Sequence, residues 1–244
     1  MKGIILAGGK ATRLRPLTLV TSKQLLPVYD KPMIYYPINT LIQGGIKDIL
    51  IIIAPDYSGQ FLNLLGDGSE FGVHFNYAIQ KEPKGLADAF IVGKNFIDGD
   101  DVTMILGDNI FDPSFGSEIK SFDKGAMVFA KKVEDPERFG VVEFDKDMKA
   151  ISIEEKPENP KSNFAVVGLY CYDSRVTDFA SKLAPSPRGE IEITDLNNIY
   201  LKNGEMKVNV FDSLWEDAGT FDSLLHVSNQ MAEFTKLTES KKLV

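Results

Sequence analysis

The stretch "GIILAGGKATRLRP", Gly3 to Pro16, begins as an apolar run, ends that run in two glycines and follows at once with two arginines. A short continuous apolar run closed by glycine reads as a buried parallel strand. In open α/β sheets ligands bind beyond the C-terminal ends of the strands, so the loop after the first strand is placed for a site. Gly8 and Gly9 let the backbone approach a ligand and expose successive amide N–H groups that suit phosphate oxygens. Arg13 adds a planar, permanently charged fork able to grip phosphate through two hydrogen bonds. The spacing G-G-K-A-T-R is neither the G-x-G-x-x-G of dinucleotide folds nor the G-x-x-x-x-G-K-S/T of P-loops. The loop therefore reads as a phosphate cradle of another type; the plainer alternative is a glycine turn with two solvated arginines.

Outward from this loop, the first half alternates strand and helix signals. "KPMIYYPINTLIQGGI" has apolar residues at helical spacing and stops at Gly44 and Gly45, a plausible helix end. "DILIIIAP" is a continuous apolar strand closed by Pro55, "YSGQFLNLLGDG" a helix and "VHFNYAIQ" an alternating strand. "GLADAFIVGKNFI" reads as one helix and "VTMILGDN" as a strand ending in an acid. Such β-α-β-α order implies a parallel sheet with helices on both faces. After residue 125, "GAMVFAKKV", "FGVVEFD", "AISIEEKP" and "FAVVGLYCYD" are strand-like, followed by a helix in "TDLNNIYLKNG", a strand in "KVNVFD" and a final helix in "TFDSLLHVSNQMAEFTKL". The polar tail "TESKKLV" is expected to fray. We read residues 1–244 as a single domain, with a nucleotide-binding half to about residue 124 and a β-rich half from about residue 125 that continues the sheet and carries a second substrate.

Composition narrows the function. Hydrophobic residues make up 43% and charged residues 25% of 244, enough for a sizeable core. A formal net charge of −8 argues against broad electrostatic binding to nucleic acid or an anionic membrane. Bound phosphate must then be held by local cations or a metal. The lone Cys171 sits in an apolar strand and reads as structural, in a reducing cytoplasm. "KGIILAGG" meets glycine too early for a signal peptide, and no apolar segment approaches bilayer length. His74 and His226 lie in no motif and read as structural.

Taken together, "LAGGKATRLRPLT" and "SKQLLPVYDKPMIYYP" closely resemble the signature of the sugar-nucleotide pyrophosphorylases, L-A-G-G-x-G-T-R-L-x-P-x-T followed by K-x-L-L-P-V. The likeness continues through "GLADAF", "LGDNIF", "DPERFGVVEFD", "EEKPENPKSN", "PRGEIEITDLN" and "WEDAGT", in that order, over nearly the whole chain. It implies a Rossmann-like nucleotidyltransferase fold: a mostly parallel central sheet flanked by helices, with a β-rich sugar-binding second half. The implied reaction is attack by an oxygen of glucose-1-phosphate on the α-phosphorus of dTTP, with Mg²⁺, giving dTDP-glucose and pyrophosphate. The family is typically a homotetramer, which implies an oligomer here. Two departures stand out. Ala11 replaces the usual glycine, and the chain stops soon after its last helix, where longer bacterial members carry a further helical segment tied to regulation.

No side-chain nucleophile is needed, because the attacking phosphate is already anionic near neutral pH; positioning and cations carry the reaction. The resemblance assigns Arg13 and Lys23 to the triphosphate, places Leu6, Gly8 and Gly9 along the nucleotide, and gives the metal to Asp108 and Asp217. The alternatives are Asp108 as a turn residue and Asp217 as the cap of the last helix, although Thr220 is the better cap. Roles for Lys10 and Arg15 stay open. A Gln80 amide offers donor and acceptor to the imide edge of thymine or uracil, and Gly85, heading "GLADAF", lets backbone approach the base; Gln80 could also be an ordinary strand-end residue. Lys156 matches the family lysine that contacts the sugar phosphate. Glu155 beside it would take sugar hydroxyls, provided that the strand bends there. Gly140, Glu190 and Tyr170 complete the sugar side, with core packing the alternative for Tyr170. UTP in place of dTTP is the near rival, since one methyl in an apolar pocket is worth only about 1–3 kcal/mol. A silent nucleotide-sugar sensor is the rival of another class, and it predicts loss of one of these charged residues.

Overall fold

A computed structural model of the chain describes residues 1–242. Its strands and helices run in the order β1 (Lys2–Ala7), β2 (Pro27–Val28), β3 (Lys31–Pro32), α1 (Tyr35–Gln43), β4 (Asp48–Ile53), α2 (Ser58–Leu65) and β5 (His74–Ile79). Next come α3 (Asp88–Val92), α4 (Lys94–Ile97), β6 (Val102–Leu106), β7 (Asn109–Phe111), β8 (Ala126–Lys132), β9 (Gly140–Phe144), β10 (Ala150–Glu155) and β11 (Phe164–Tyr172). The chain closes with α5 (Val176–Ala180), α6 (Ile193–Lys202), β12 (Met206–Val210), β13 (Trp215–Asp217) and α7 (Phe221–Lys242).

Nine strands form one sheet. Strands β5, β4, β1 and β6 lie side by side and parallel; β11 then pairs antiparallel with β6, β8 and β9, and the sheet ends at β10 and β12. The alternation of side chains explains why these runs are apolar throughout. Ile4, Leu50, Ile52 and Met104 point to one face, where they meet Phe90, Leu196 and Tyr200 of α3 and α6. Their chain neighbours Ile5, Ile49, Ile51 and Ile105 point to the other face, against Ile38, Leu41, Phe61 and Leu65 of α1 and α2. Each fully buried aliphatic side chain contributes about 1.5–3 kcal/mol, and a slip of one residue would exchange the two faces. A third, smaller cluster joins Val28, Met33 and Ile110 to Val227 and Met231 of α7.

Three local readings need correction. "GLADAFIVGKNFI" is not one helix: it starts only at Asp88 and breaks at Gly93. A Cβ on Gly93 would stand 3.1 Å from both Ile4 and Leu50, so this turn lies flat on the sheet. α5 and the short pairs β2–β3 and β7–β13 were not foreseen, because segments of two to five residues carry too little periodicity to read. The final helix, read as ending at Leu237, runs on to Lys242; positions 243–244 of the polar tail lie outside the described residues. No helix among the described residues is long and apolar enough to cross a membrane.

Candidate active site

Because β1, β4, β5 and β6 are parallel, their C-terminal ends share one edge, and two adjoining cavities open there. The first, about 220 Å³, is lined by Leu6, Gly8, Gly9, Lys23, Gln24, Gln80, Gly85, Leu106 and Asp108. The second, about 380 Å³, is walled largely by the β-rich half and holds Gly140, Glu155, Lys156, Tyr170 and Glu190, together with Arg13 and Asp217. Leu86 and Glu190 belong to both walls. Every residue singled out from the sequence for nucleotide, sugar or metal thus borders one of two neighbouring spaces.

The loop after β1 is shaped by Ala11, whose backbone is left-handed at φ 45°, ψ 44°. Thr18 Oγ1 donates to the Ala11 carbonyl at 2.8 Å, and the Leu14 N–H donates to the same oxygen. Leu14 is wholly buried, so the Thr12–Leu14 turn is anchored with Arg13 projecting from it. A left-handed alanine is strained by about 1 kcal/mol, which glycine would avoid. Lys10, Arg15 and Tyr57 line a third space of about 310 Å³, which shares Gly9 and Lys23 with the first cavity.

Asp108 lies between β6 and β7, and its approach to Asp217 is a product of pairing far apart in sequence. β13 runs antiparallel to β7 with Asp217 opposite Asn109, and the Ala218 N–H donates to the Asp108 carbonyl at 3.0 Å. Lys23 Nζ donates to Asp108 Oδ2, and Asn109 Nδ2 donates to Asp108 Oδ1 at 3.2 Å. Asn109 is itself fixed, since its Oδ1 accepts from Trp215 Nε1 at 2.7 Å and from the Gly168 N–H at 3.0 Å. Burial pushes the Asp108 carboxyl up, but Lys23 and Asn109 outweigh it and hold Asp108 below the usual carboxylate range. Burial, and then the charge of Asp108, push Asp217 up to about 6. Asp217 Oδ1 is buried without a hydrogen-bond partner, close to Arg13: a Cβ on Gly219 would stand 2.8 Å from Arg13 Nη2 and 2.9 Å from that oxygen.

A hard divalent cation fits this pair. It takes oxygen ligands, and Mg²⁺ commonly uses one or two carboxylates with substrate phosphate and water. The unpartnered Asp217 oxygen supplies the unused ligand capacity.

In the second cavity β10 ends at Glu155, and Lys156 adopts φ 44°. This is the bend that two neighbouring residues need to serve one ligand. Glu155 Oε2 accepts from Thr194 Oγ1 at 2.7 Å. Arg138, Arg188, Glu192, Thr194 and Asn197 also line this cavity and were not singled out, although "DPERFG" and "PRGEIEITDLN" contain all five. Asn197 is wholly buried; its Oδ1 accepts from Tyr172 OH at 2.5 Å, and its Nδ2 has no partner. Tyr170 is buried beside Tyr172 with ring centroids 6.3 Å apart, so it packs the core and walls the cavity together.

Gly85 lines the first cavity but does not head the helix. Its φ is +98°, and a Cβ there would fall 2.4 Å from the Ile191 carbonyl oxygen. The Ile191 N–H donates to the Lys84 carbonyl at 2.7 Å and the Ile191 carbonyl accepts from the Ala87 N–H at 3.1 Å; this crossing delivers Glu190 to both cavities. Cys171 is buried, with Thr103 Oγ1 3.3 Å from its sulfur, and burial pushes its thiol up to about 12, which leaves it unreactive. His74 and His226 are exposed and line neither cavity.

A glycine-lined space at the ends of parallel strands, joined to a charged space across two carboxylates, a lysine and an arginine, defines a protein that brings a nucleotide to a second substrate. The chain belongs to the nucleotidyl transferase family, whose pattern it matches over residues 2–233. It is 56% identical over 230 residues to the glucose-1-phosphate thymidylyltransferase of Neisseria meningitidis serogroup A, covering 92% of this chain and 80% of that one. The Mycolicibacterium smegmatis enzyme of the same name is 55% identical over 234 residues, covering 94% and 81%. A crystal structure from Bacillus anthracis, described as a glucose-1-phosphate thymidylyltransferase in complex with sucrose, superposes with a TM-score of 0.89 at 46% identity, covering 94% of each chain.

Proposed function

We propose that this nucleotidyltransferase moves the thymidylyl group of dTTP to glucose-1-phosphate, giving dTDP-glucose and pyrophosphate. The observation that carries the reading is the meeting of the two cavities at one carboxylate-and-cation cluster, where the α-phosphorus of a nucleotide and the phosphate of a sugar can be brought face to face. The nucleotide lies along Leu6, Gly8 and Gly9, with its base between Gln80 and Gly85 and its triphosphate reaching Arg13 and Lys23. The sugar occupies the space between Gly140, Glu155, Tyr170 and Glu190, with its phosphate on Lys156. Asn197 Nδ2 is a further fixed donor for a hexose oxygen.

An oxygen of the sugar phosphate forms a bond to the α-phosphorus as the bond from that phosphorus to the bridging oxygen breaks, and pyrophosphate leaves with that electron pair. Lys156 aims the attacking phosphate, and Arg13 opposes the charge growing on the departing one. Asp108 and Asp217 are the residues that would hold Mg²⁺, which when bound neutralises phosphate charge as a Lewis acid. Lys23 keeps Asp108 ionised for that purpose. In this reading the half before about residue 124 serves the nucleotide and the half after it the sugar. The family resemblance further supports a cytoplasmic homo-oligomer, a homotetramer by likeness, which light scattering of the purified chain tests.

The deciding experiment is pyrophosphate release with glucose-1-phosphate and Mg²⁺, run in parallel with dTTP, UTP, ATP, CTP and GTP. Fast release with dTTP and slower release with UTP is the expected result. A silent profile from folded protein would leave a nucleotide-sugar sensor as the reading.

A further inference from the structure

We infer that Asp88 fixes the amide of Gln80 in one orientation, with its oxygen toward the nucleotide cavity, and that this choice selects bases carrying an N3–H, thymine and uracil, over cytosine. The inference rests on the proposed reading of the first cavity as the nucleotide site.

Gln80 and Asp88 are both buried, at 6% and 8% exposure. Gln80 Nε2 donates to Asp88 Oδ2 at 2.7 Å. The other end of the amide faces the loop after β1: a Cβ on Gly8 would stand 2.9 Å from Gln80 Oε1. Gly8 and Gln80 line the first cavity, whereas Asp88 lies behind Gln80, outside its lining. The backbone is held as well, since the Gln80 N–H donates to the Ile53 carbonyl at 2.9 Å.

The chemistry of the pair decides the orientation. A carboxylate only accepts hydrogen bonds, whereas an amide accepts at oxygen and donates at nitrogen. Turning the amide over would set its oxygen against the Asp88 carboxylate in a buried place, where unmatched acceptors are costly. With the nitrogen committed to Asp88, Oε1 is the group offered to the base, and the second Nε2 hydrogen remains for a base carbonyl. Thymine and uracil present an N3–H that Oε1 accepts. Cytosine presents a lone pair at the same place, and two acceptors then face each other. A glutamine free to turn would suit either base; the specificity lies in the residue behind it. Asp88 is therefore a positioning residue.

The test compares kcat/KM for dTTP and dCTP, with glucose-1-phosphate and Mg²⁺, in wild type, Asp88→Ala and Asp88→Asn, with thermal melting to check the fold. In Asp88→Ala the dTTP-to-dCTP ratio is expected to fall at least tenfold, while KM for glucose-1-phosphate is unchanged. Asp88→Asn keeps the volume of Asp88, but its side-chain amide can offer Gln80 either an oxygen or an NH₂, so this variant is expected to give an intermediate ratio. A wild-type ratio in folded Asp88→Ala, even with slower turnover on both nucleotides, overturns the inference by reducing Asp88 to a structural role. If Asp88→Ala does not fold, a wild-type ratio in folded Asp88→Leu, which keeps the bulk of the side chain but offers no acceptor, does the same. Failure of the underlying reading looks different: wild type itself then releases no pyrophosphate with dTTP, and the inference falls with it.

Discussion

The two cavities are built in different ways, and in the proposed reading each suits a different substrate. The first cavity, the proposed nucleotide site, sets glycines at 8, 9 and 85 at the ends of parallel strands beside Lys23, Asp108 and one fixed amide. The second cavity, the proposed sugar site, is walled mainly by charged and polar side chains on antiparallel strands and on the segment from Arg188 to Asn197. A flat base with a short polar edge needs a close backbone and few hydrogen bonds, whereas a hexose phosphate, polar all round, needs many donors and acceptors. The first cavity keeps one compact local part, Leu6 to Gly9, although Lys23, Gln80 and Asp108 reach it from elsewhere in the chain. The second draws on Arg13, on stretches 138–140, 153–156, 166–170 and 188–197 and on Asp217, which only folding collects.

Changes at the junction between the two should be the most damaging. Asp108→Asn removes a carboxylate serving both substrates, and turnover is expected to fall about 100-fold or more with little change in dTTP affinity; equal turnover in a pyrophosphate assay would separate Asp108 from the chemistry. One side alone is struck by Lys156→Ala. Loss of a charge-assisted hydrogen bond costs about 1.5–3 kcal/mol, so KM for glucose-1-phosphate should rise about 10- to 100-fold with KM for dTTP unchanged. A rise in both would blur the division of labour between the cavities. The reciprocal change, Gln80→Ala, should narrow the preference for pyrimidine over purine triphosphates about tenfold, in line with one lost hydrogen bond, and an unaltered preference would take base reading away from the amide.

Two smaller effects concern the scaffolds. Asp173, at the end of β11, accepts from the Gly125 N–H, from Tyr200 OH and from Arg175. Burial pushes its carboxyl up, but the hydrogen bonds from Arg175 outweigh it and leave it below the usual range. Such a depressed group stabilises the fold above its unfolded value of about 3.9 and loses that contribution as pH falls through its folded value. Asp173→Asn should therefore cost about 1–3 kcal/mol at neutral pH, with a smaller deficit in melts run toward pH 3. A pH-independent deficit would trace the loss to packing instead. At the phosphate loop, Ala11→Gly relieves about 1 kcal/mol of left-handed strain but loosens the unfolded chain by nearly as much. The melting temperature should move by no more than about 2–4 °C, and a larger shift would show that the loop is not held in the left-handed form by Thr18.

What the sequence alone determined is the parallel half and its loop. Strands β1, β4 and β6 are continuous apolar runs because both faces are covered, and the glycine-arginine loop follows β1 directly; both are local facts of period and neighbour. The charged cluster of the β-rich half was partly legible, through Glu155, Lys156 and Glu190, but Arg138, Arg188 and Asn197 were passed over because nothing local separates a cavity residue from a solvated one. Tertiary structure alone decided the rest. It brought Asp217 to Asp108 by pairing three-residue strands more than a hundred positions apart. It gave Gly85 its reason by crossing Ile191 over it, and it turned the Gln80 amide by setting Asp88 behind it. Each is a contact between segments whose own sequences carry no sign of the partner, so it exists only once the sheet has fixed where those segments end.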